Sequence, residues 1–300
     1  MKEKNLVGKT PLVKIKDQIF AKAEYLNPTG SIKDRIASWI FDRAEENGSL
    51  YNGKKVVEAS SGNTAISFSY LCSERGYDMT VIMPSNMSQE RKDLVKSYGA
   101  TLIETDPGDF EGAIRLRNQM VEEGYWSPMQ FENPQNIECH AKTTAVEIWY
   151  QMNMDVDVLV AGTGTGGTIM GVGGELKKLN SSLRVIAVEP EECPIMYNSF
   201  YGTSLPVSKV HGIQGIGDGS KYLVDLDLVD GIVLVSTEDA ILKVKDLAKE
   251  GISAGISAAA NILAAERSAS SGERTVTFLC DDSSKYQSML EVKRSTILSV

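Results

Sequence analysis

The stretch VLVAGTGTGGTIMGVGG, residues 158–174, carries the most structural information in this chain. A continuous apolar run, Val158 to Ala161, enters a turn of glycines and threonines, and a helical pattern follows. An apolar run of that length without polar alternation predicts a strand buried on both faces, as in a parallel sheet covered by helices. Glycines let a backbone approach a ligand closely. Free N–H groups and the positive end of the following helix then favour an anion, with phosphate the natural guest. Five glycines and three threonines, counted from Gly162 to Thr168 with Gly171, exceed what a tight strand–helix turn needs. The turn is not a P-loop, because no Lys-Ser/Thr pair follows its glycines. It differs from a dinucleotide fingerprint in its place along the chain, although Glu189 lies about 20 residues on, where a ribose-binding acid would stand.

Outward from this unit, the same alternation repeats. Short β-rich runs at 55–59, 79–83, 101–104, 156–161, 184–188, 231–235 and 275–279 predict strands. Helical patterns lie at 33–46, 63–75, 88–97, 109–123, 137–152, 166–179, 237–249 and 256–268. The fold class expected is α/β, with mostly parallel twisted sheets covered by helices. The strands form two groups, 55–104 and 156–279, which predicts two α/β domains with a cleft between them. No repeat of solenoid length and no low-complexity linker interrupts the 300 residues.

Bulk composition narrows the function. The chain is 42% hydrophobic and 24% charged, ordinary for a globular protein. A net charge of −9 without a basic run argues against a nucleic-acid partner. Cys72, Cys139, Cys193 and Cys280 form no CxxC pair, so no metal site is expected, and scattered cysteines fit a reducing compartment. The N-terminus MKEKNLVGKTPLV has no signal-peptide core and no window has the apolar length of a membrane span. A cytoplasmic protein is expected.

Three further stretches stand out. In EASSGNTAISFSYL, 58–71, a strand ends at small hydroxyl and amide residues that open a helix. Such residues cap helices, and a row of them at a dipole's positive end also suits a carboxylate. HGIQGIGDG, 211–219, is glycine-rich on no evident element and reads as a surface loop. In EGISAGISAAA, 250–260, Ser257 reads as an N-cap. A fourth, NPTGSIKDR, 27–35, places Lys33 just past a glycine turn at the mouth of a helix, where an exposed lysine would be ordinary.

NPTGSIKDR, SSGNT, MPSNMSQERK, QFENPQN, GTGTGGT, HGIQGIG and EGISAGIS together resemble the cysteine synthase and cystathionine β-synthase family of pyridoxal-phosphate (PLP) enzymes. These belong to the tryptophan synthase β-like fold, fold type II. The seven stretches occur in the family's order and span roughly residues 7 to 290. The resemblance implies PLP in the cleft between the domains. It implies a smaller, mobile domain over 35–135 that carries the substrate-carboxylate loop. The larger domain would be 1–34 plus 136–300 and would carry the phosphate loop.

On that resemblance Lys33 holds PLP as a Schiff base and moves the Cα proton; imine chemistry needs an unprotonated amine. Gly164, Thr165, Gly166, Gly167 and Thr168 would seat the phosphate. Asn63 would lie beside the ring hydroxyl and Ser257 at the pyridine nitrogen. Ser60, Ser61, Gly62, Thr64, Gln130 and Gly215 would form the substrate-carboxylate site. The implied reaction is β-elimination and β-replacement on a serine- or cysteine-type L-amino acid through an aminoacrylate. The resemblance also implies a homodimer; an acyltransferase is a candidate partner, and the sequence leaves open whether it docks.

The chain departs from the family pattern at Ala65, where glycine is usual, at Ser60, where threonine is common, and in CDDSSKY, 280–286. The sharper departure is Asp218. Cysteine synthases usually carry a small residue there and cystathionine β-synthases an aromatic one. An acid could serve as a base on water or on a thiol, or it could simply shape an Asp-Gly turn. Two reactions therefore compete: cysteine synthesis from an O-activated serine and sulfide, and a lyase that releases hydrogen sulfide from L-cysteine with Asp218 as base. A non-catalytic binding module of the same fold must explain away Lys33 and the full cofactor set. A nucleotide-dependent oxidoreductase lacks a nicotinamide site.

Overall fold

The structure is a computed structural model, and it describes residues 6–60, 62–217, 220 and 222–286. The chain opens with strands β1 (Leu12–Lys16) and β2 (Ile19–Ala23), then helix α1 (Lys33–Glu46). Next come β3 (Val56–Ala59), α2 (Asn63–Arg75), β4 (Met79–Pro84), α3 (Gln89–Ser97), β5 (Thr101–Thr105) and α4 (Phe110–Glu122). A helix α5 (Gln135–Cys139), a π-helical turn (His140–Thr144) and α6 (Ala145–Gln151) follow. The chain continues with β6 (Val158–Gly162), α7 (Gly167–Leu179), β7 (Arg184–Pro190), α8 (Ile195–Tyr201) and β8 (Gly231–Val235). Helices α9 (Thr237–Lys249) and α10 (Ile256–Ser268) precede β9 (Thr275–Leu279).

Spatial clustering divides the chain into two compact units, Met1–Val7 with Asn27–Gln135, and Gly8–Leu26 with Asn136–Val300. The resemblance implied residues 1–34 in the larger domain; here 27–34 group with the smaller unit, where side-chain bonds described below tie the turn at 27–30 to α1 and α2.

The first unit holds a parallel three-stranded sheet, β3-β4-β5. Its core includes Val57, Ala59, Ile82, Ala113 and Met120. On another side Phe41 meets Tyr77 and Trp126 edge-on, each pair of centroids 5.5 Å apart, an arrangement that aligns ring edges with the negative faces.

The second unit holds a six-stranded sheet in the order β1-β2-β9-β6-β7-β8. It is parallel except for the β1–β2 hairpin at its edge. Every residue of β9 and all but the last of β6 are buried, which is why these runs read as continuous apolar sequence. The hairpin escaped the pattern because β2 carries a fully buried Lys22. Its ammonium is satisfied by the Thr10 carbonyl, by Glu147 at 2.7 Å and by Gln151 at 2.9 Å, groups more than 100 residues away save the first.

Helix α8 was also missing from the sequence pattern. It is seven residues long, and its first turn is held by Glu189, whose carboxylate accepts the Met196 and Tyr197 N–H groups, both at 2.9 Å. Glu189, the acid at ribose-binding distance in the sequence, is thus a buried helix cap. The helix expected over 137–152 is broken by the π turn. There α7 presses in: a Cβ on Gly171 would stand 2.4 Å from the Ile137 carbonyl oxygen and 2.7 Å from His140 Cβ. Widening one turn accommodates that approach. Among the described residues no helix is long and apolar enough to cross a membrane.

Candidate active site

Lys33 is the first residue of α1 and is half-buried. The turn before it needs Gly30, at φ 76°, a conformation other residues avoid. Asp34, one residue on and 2% exposed, fastens that turn. Its carboxylate accepts the Thr29 N–H at 2.7 Å and the Thr29 hydroxyl at 2.6 Å, and the same hydroxyl lies 3.2 Å from Ser67 Oγ on α2. The Lys33 N–H donates to Ser31 Oγ at 3.3 Å. The backbone carrying Lys33 is therefore fixed, while its ammonium makes no hydrogen bond or ion pair with the described residues.

In the same unit β3 delivers Ser60 and Gly62 to the start of α2. The N-cap is Gly62, and no side chain caps the helix. Ser60 Oγ accepts the Gly62 N–H at 3.4 Å, a long bond within the loop itself. Thr64, in the first turn of α2, donates from Oγ1 to Gln130 Oε1 at 2.7 Å, with both side chains buried. Two residues 66 positions apart, from SSGNT and QFENPQN, are brought into contact. Asn63 is half-buried beside them at the head of α2. Ser61 lies outside the described residues.

In the second unit β6 ends at Gly162 and the turn Thr163–Gly166 leads into α7. Gly166, at φ 90°, is the N-cap, and no side chain caps α7. The glycines are forced by neighbours. A Cβ on Gly164 would lie 2.4 Å from the Gly215 carbonyl oxygen, and one on Gly167 would lie 1.9 Å from Asn136 Oδ1. Thr165 Oγ1 accepts from Asn136 Nδ2 at 3.0 Å and from the Gly167 N–H at 3.3 Å. Thr168 Oγ1 sits 3.3 Å from His140 Nε2, and His140 Nδ1 lies 2.9 Å from Thr144.

The 211–217 segment, expected as a surface loop, packs on this turn. The Gly217 N–H donates to the Thr163 carbonyl at 3.0 Å, and Ile213 and Ile216 are buried. Gly215, at φ 93°, is itself exposed. Asp218 lies outside the described residues. Ser257 is not the N-cap of α10; that place belongs to Gly255, in an extended conformation. Ser257 sits one residue inside the helix, 5% exposed, and its hydroxyl meets no hydrogen-bonding partner among the described residues.

These features fit a phosphorylated cofactor. Glycine at the N-cap of α7 leaves that position without a side chain to spend on the helix's first N–H groups, of which Thr165 Oγ1 takes one, and the Ser257 hydroxyl has no partner among the described residues. The supporting residues Asp34, Asn136 and His140 were not singled out in sequence. Asp34 and Asn136 stand inside quoted motifs, so position was the available signal. His140 had none, since the π turn that aims it depends on the approach of α7.

Comparison with known proteins agrees. A family model described as pyridoxal-phosphate dependent enzyme matches residues 4–281. A cysteine synthase of Staphylococcus aureus is 39% identical over 299 residues, covering 94% of each chain. A cysteine synthase of Buchnera aphidicola is 42% identical over 272 residues, covering 86% of each. Among solved structures, a hydrogen sulfide-producing enzyme from Fusobacterium nucleatum superposes with a TM-score of 0.89 at 36% identity, over 96% of this chain and 90% of that one. With the fold, the turn before α7 and these likenesses in agreement, the chain belongs to the pyridoxal-phosphate dependent enzyme family as a cysteine synthase-like member, and its cofactor is PLP.

Proposed function

We propose that the enzyme makes L-cysteine from an O-activated L-serine and sulfide. The Cβ–O bond breaks, a carboxylate leaves, and sulfide forms the new Cβ–S bond. The observation that carries this reading is the likeness to cysteine synthases along nearly the whole chain. PLP, when bound, supplies the sink for the electron pair released at Cα.

The chain's own residues have separate tasks. Lys33 would hold the cofactor at its carbonyl carbon, and its free amine would take the Cα proton and return it after the new bond forms. Backbone N–H groups and hydroxyls of Gly164, Thr165, Gly166, Gly167 and Thr168, with the dipole of α7, bind the phosphate. Ser257 bonds the ring nitrogen as a neutral hydroxyl, which withdraws fewer electrons than an acid and favours loss of the β-substituent. Asn63 holds the ring hydroxyl. Ser60, Ser61, Gly62, Thr64 and Gln130, with Gly215, bind the substrate carboxylate; the buried Thr64–Gln130 bond supports their grouping. The proposal includes a cytoplasmic homodimer, with an acyltransferase as a candidate partner.

A second reading is a lyase that takes L-cysteine, releases sulfide and adds water or a second thiol, with Asp218 as base. The name of the Fusobacterium structure, a hydrogen sulfide-producing enzyme, favours it. Product analysis separates the two. PLP-loaded enzyme is given L-cysteine alone, and in parallel O-acetyl-L-serine with sulfide. Cysteine formation from the second mixture, without sulfide from the first, supports synthesis. Sulfide with serine or lanthionine from the first mixture supports the lyase.

A further inference from the structure

Glu58 lies on β3, two residues before Ser60, and is fully buried. Ser127 Oγ donates to its Oε2 at 3.1 Å, and the Met129 backbone N–H faces the same carboxyl. The charged groups around it are Arg117 of α4, 1% exposed, and Glu132, which lies 3.7 Å from Arg117. Among the described residues Glu58 Oε1 and Arg117 Nη1 have no hydrogen-bond partner. A buried carboxyl with an unsatisfied oxygen is a costly choice for a strand whose other residues are Val56, Val57 and Ala59. An apolar side chain would serve the core better.

What Glu58 does is hold a strap. Residues 127–129 belong to no helix or strand, and Met129 is strained at φ 50°. Strain of this kind persists only where neighbours impose it. The next residue, Gln130, receives the Thr64 hydroxyl at 2.7 Å. The β3–α2 segment therefore grips the strap at both ends, through Glu58 at Ser127 and Met129 and through Thr64 at Gln130.

We propose that Glu58 is a positioning residue of the substrate-carboxylate site, fixing the 127–130 strap so that Gln130 and Thr64 hold their spacing. This rests on the reading of Thr64 and Gln130 as substrate contacts. Burial pushes the Glu58 carboxyl up to about 7, against the pull of Arg117 and the two bonds of the strap. The ionised form accepts from Ser127 and Met129 more strongly than the neutral acid does. The grip therefore tightens as pH rises through neutrality.

The test uses the PLP-loaded enzyme and whichever of the two reactions product analysis detects. Glu58→Gln should raise KM for the amino-acid substrate about tenfold, the scale of exchanging a charge-assisted bond for a neutral one, with kcat within about twofold. Wild-type KM should fall as pH rises through about 7, and the Glu58→Gln profile should be flat. Hydrogen exchange in peptides spanning 126–131 should quicken in the variant without substrate present. Ser127→Ala should reproduce both effects with Glu58 intact, which guards against a folding defect in the Glu58 variant. Gln130→Ala is the control. If it raises KM while Glu58→Gln and Ser127→Ala leave KM and exchange at wild-type values, the role of Glu58 is refuted and the substrate site stands. If Gln130→Ala leaves KM unchanged, the substrate reading falls and the role of Glu58 falls with it.

Discussion

Replacing Glu58 by Gln keeps the side-chain shape and removes its titration, so stability should become pH-dependent in a known direction relative to wild type. The carboxyl's ordinary value is 4.5, and burial raises it to about 7 in the folded chain. The folded state thus holds the proton more tightly than the unfolded state. The stability supplied by that proton is complete below 4.5 and is lost as pH rises through about 7. A pKa unit corresponds to about 1.4 kcal/mol, so the loss amounts to about 3 kcal/mol. The attraction of Arg117 is already contained in that value. Wild type should therefore lose about 3 kcal/mol relative to Glu58→Gln between pH 4.5 and 8, with no further change above. Urea unfolding at saturating PLP, followed by tryptophan fluorescence, measures it; Trp39 and Trp126 both report on the unit that contains Glu58. A difference between the two proteins that stays constant from pH 4.5 to 8 would falsify the reasoning, because it would mean that Glu58 ionises as freely inside the fold as outside.

Gly164→Ala should destabilise the protein by about 1–3 kcal/mol and weaken PLP tenfold or more, since its Cβ would meet the Gly215 carbonyl oxygen at 2.4 Å; equilibrium dialysis reads the affinity, and an unchanged value would show that the close approach has no bearing on the cofactor. Asp34→Ala removes the acceptor of both Thr29 bonds and should cost about 2–3 kcal/mol in denaturant unfolding; a change near zero would mean the turn before Lys33 is held by other means. Lys33→Ala should abolish both turnover and the visible absorbance of lysine-linked cofactor, and a variant with normal activity would remove Lys33 from the proposed chemistry. Asp218→Ala should lose water or thiol addition to the substrate yet still release the β-substituent; wild-type product ratios would reduce Asp218 to a turn residue.

Much of this protein is legible along the chain because its strands and helices declare themselves locally. Val158–Gly162, Thr275–Leu279 and their neighbours are apolar because they are covered on both faces, and α1, α2, α9 and α10 begin and end where their patterns do. The same holds for the glycine-threonine turn, which stands between a buried strand and a helix as its pattern predicts.

Other features depend on partners distant in sequence. Lys22 reads as a surface residue, yet it is buried because Thr10, Glu147 and Gln151 converge on it. Ser257 reads as a cap, yet Gly255 takes that place and leaves its hydroxyl over. The 211–217 segment reads as surface loop, yet the Gly215 carbonyl fills the space beside Gly164.

The sequence by itself determined the α/β class, because hydrophobic periodicity and turn chemistry are short-range properties of a chain, and its seven motifs in order carried the resemblance to the family. Only the tertiary structure decided that Thr64 meets Gln130, that Asn136 and His140 bond the threonines of the turn before α7, and that Glu58 is buried under the strap that carries Gln130. Hydrogen bonds and desolvation act through space. The energy of a polar side chain is set by which groups the fold places a few ångströms away, and no local pattern records them.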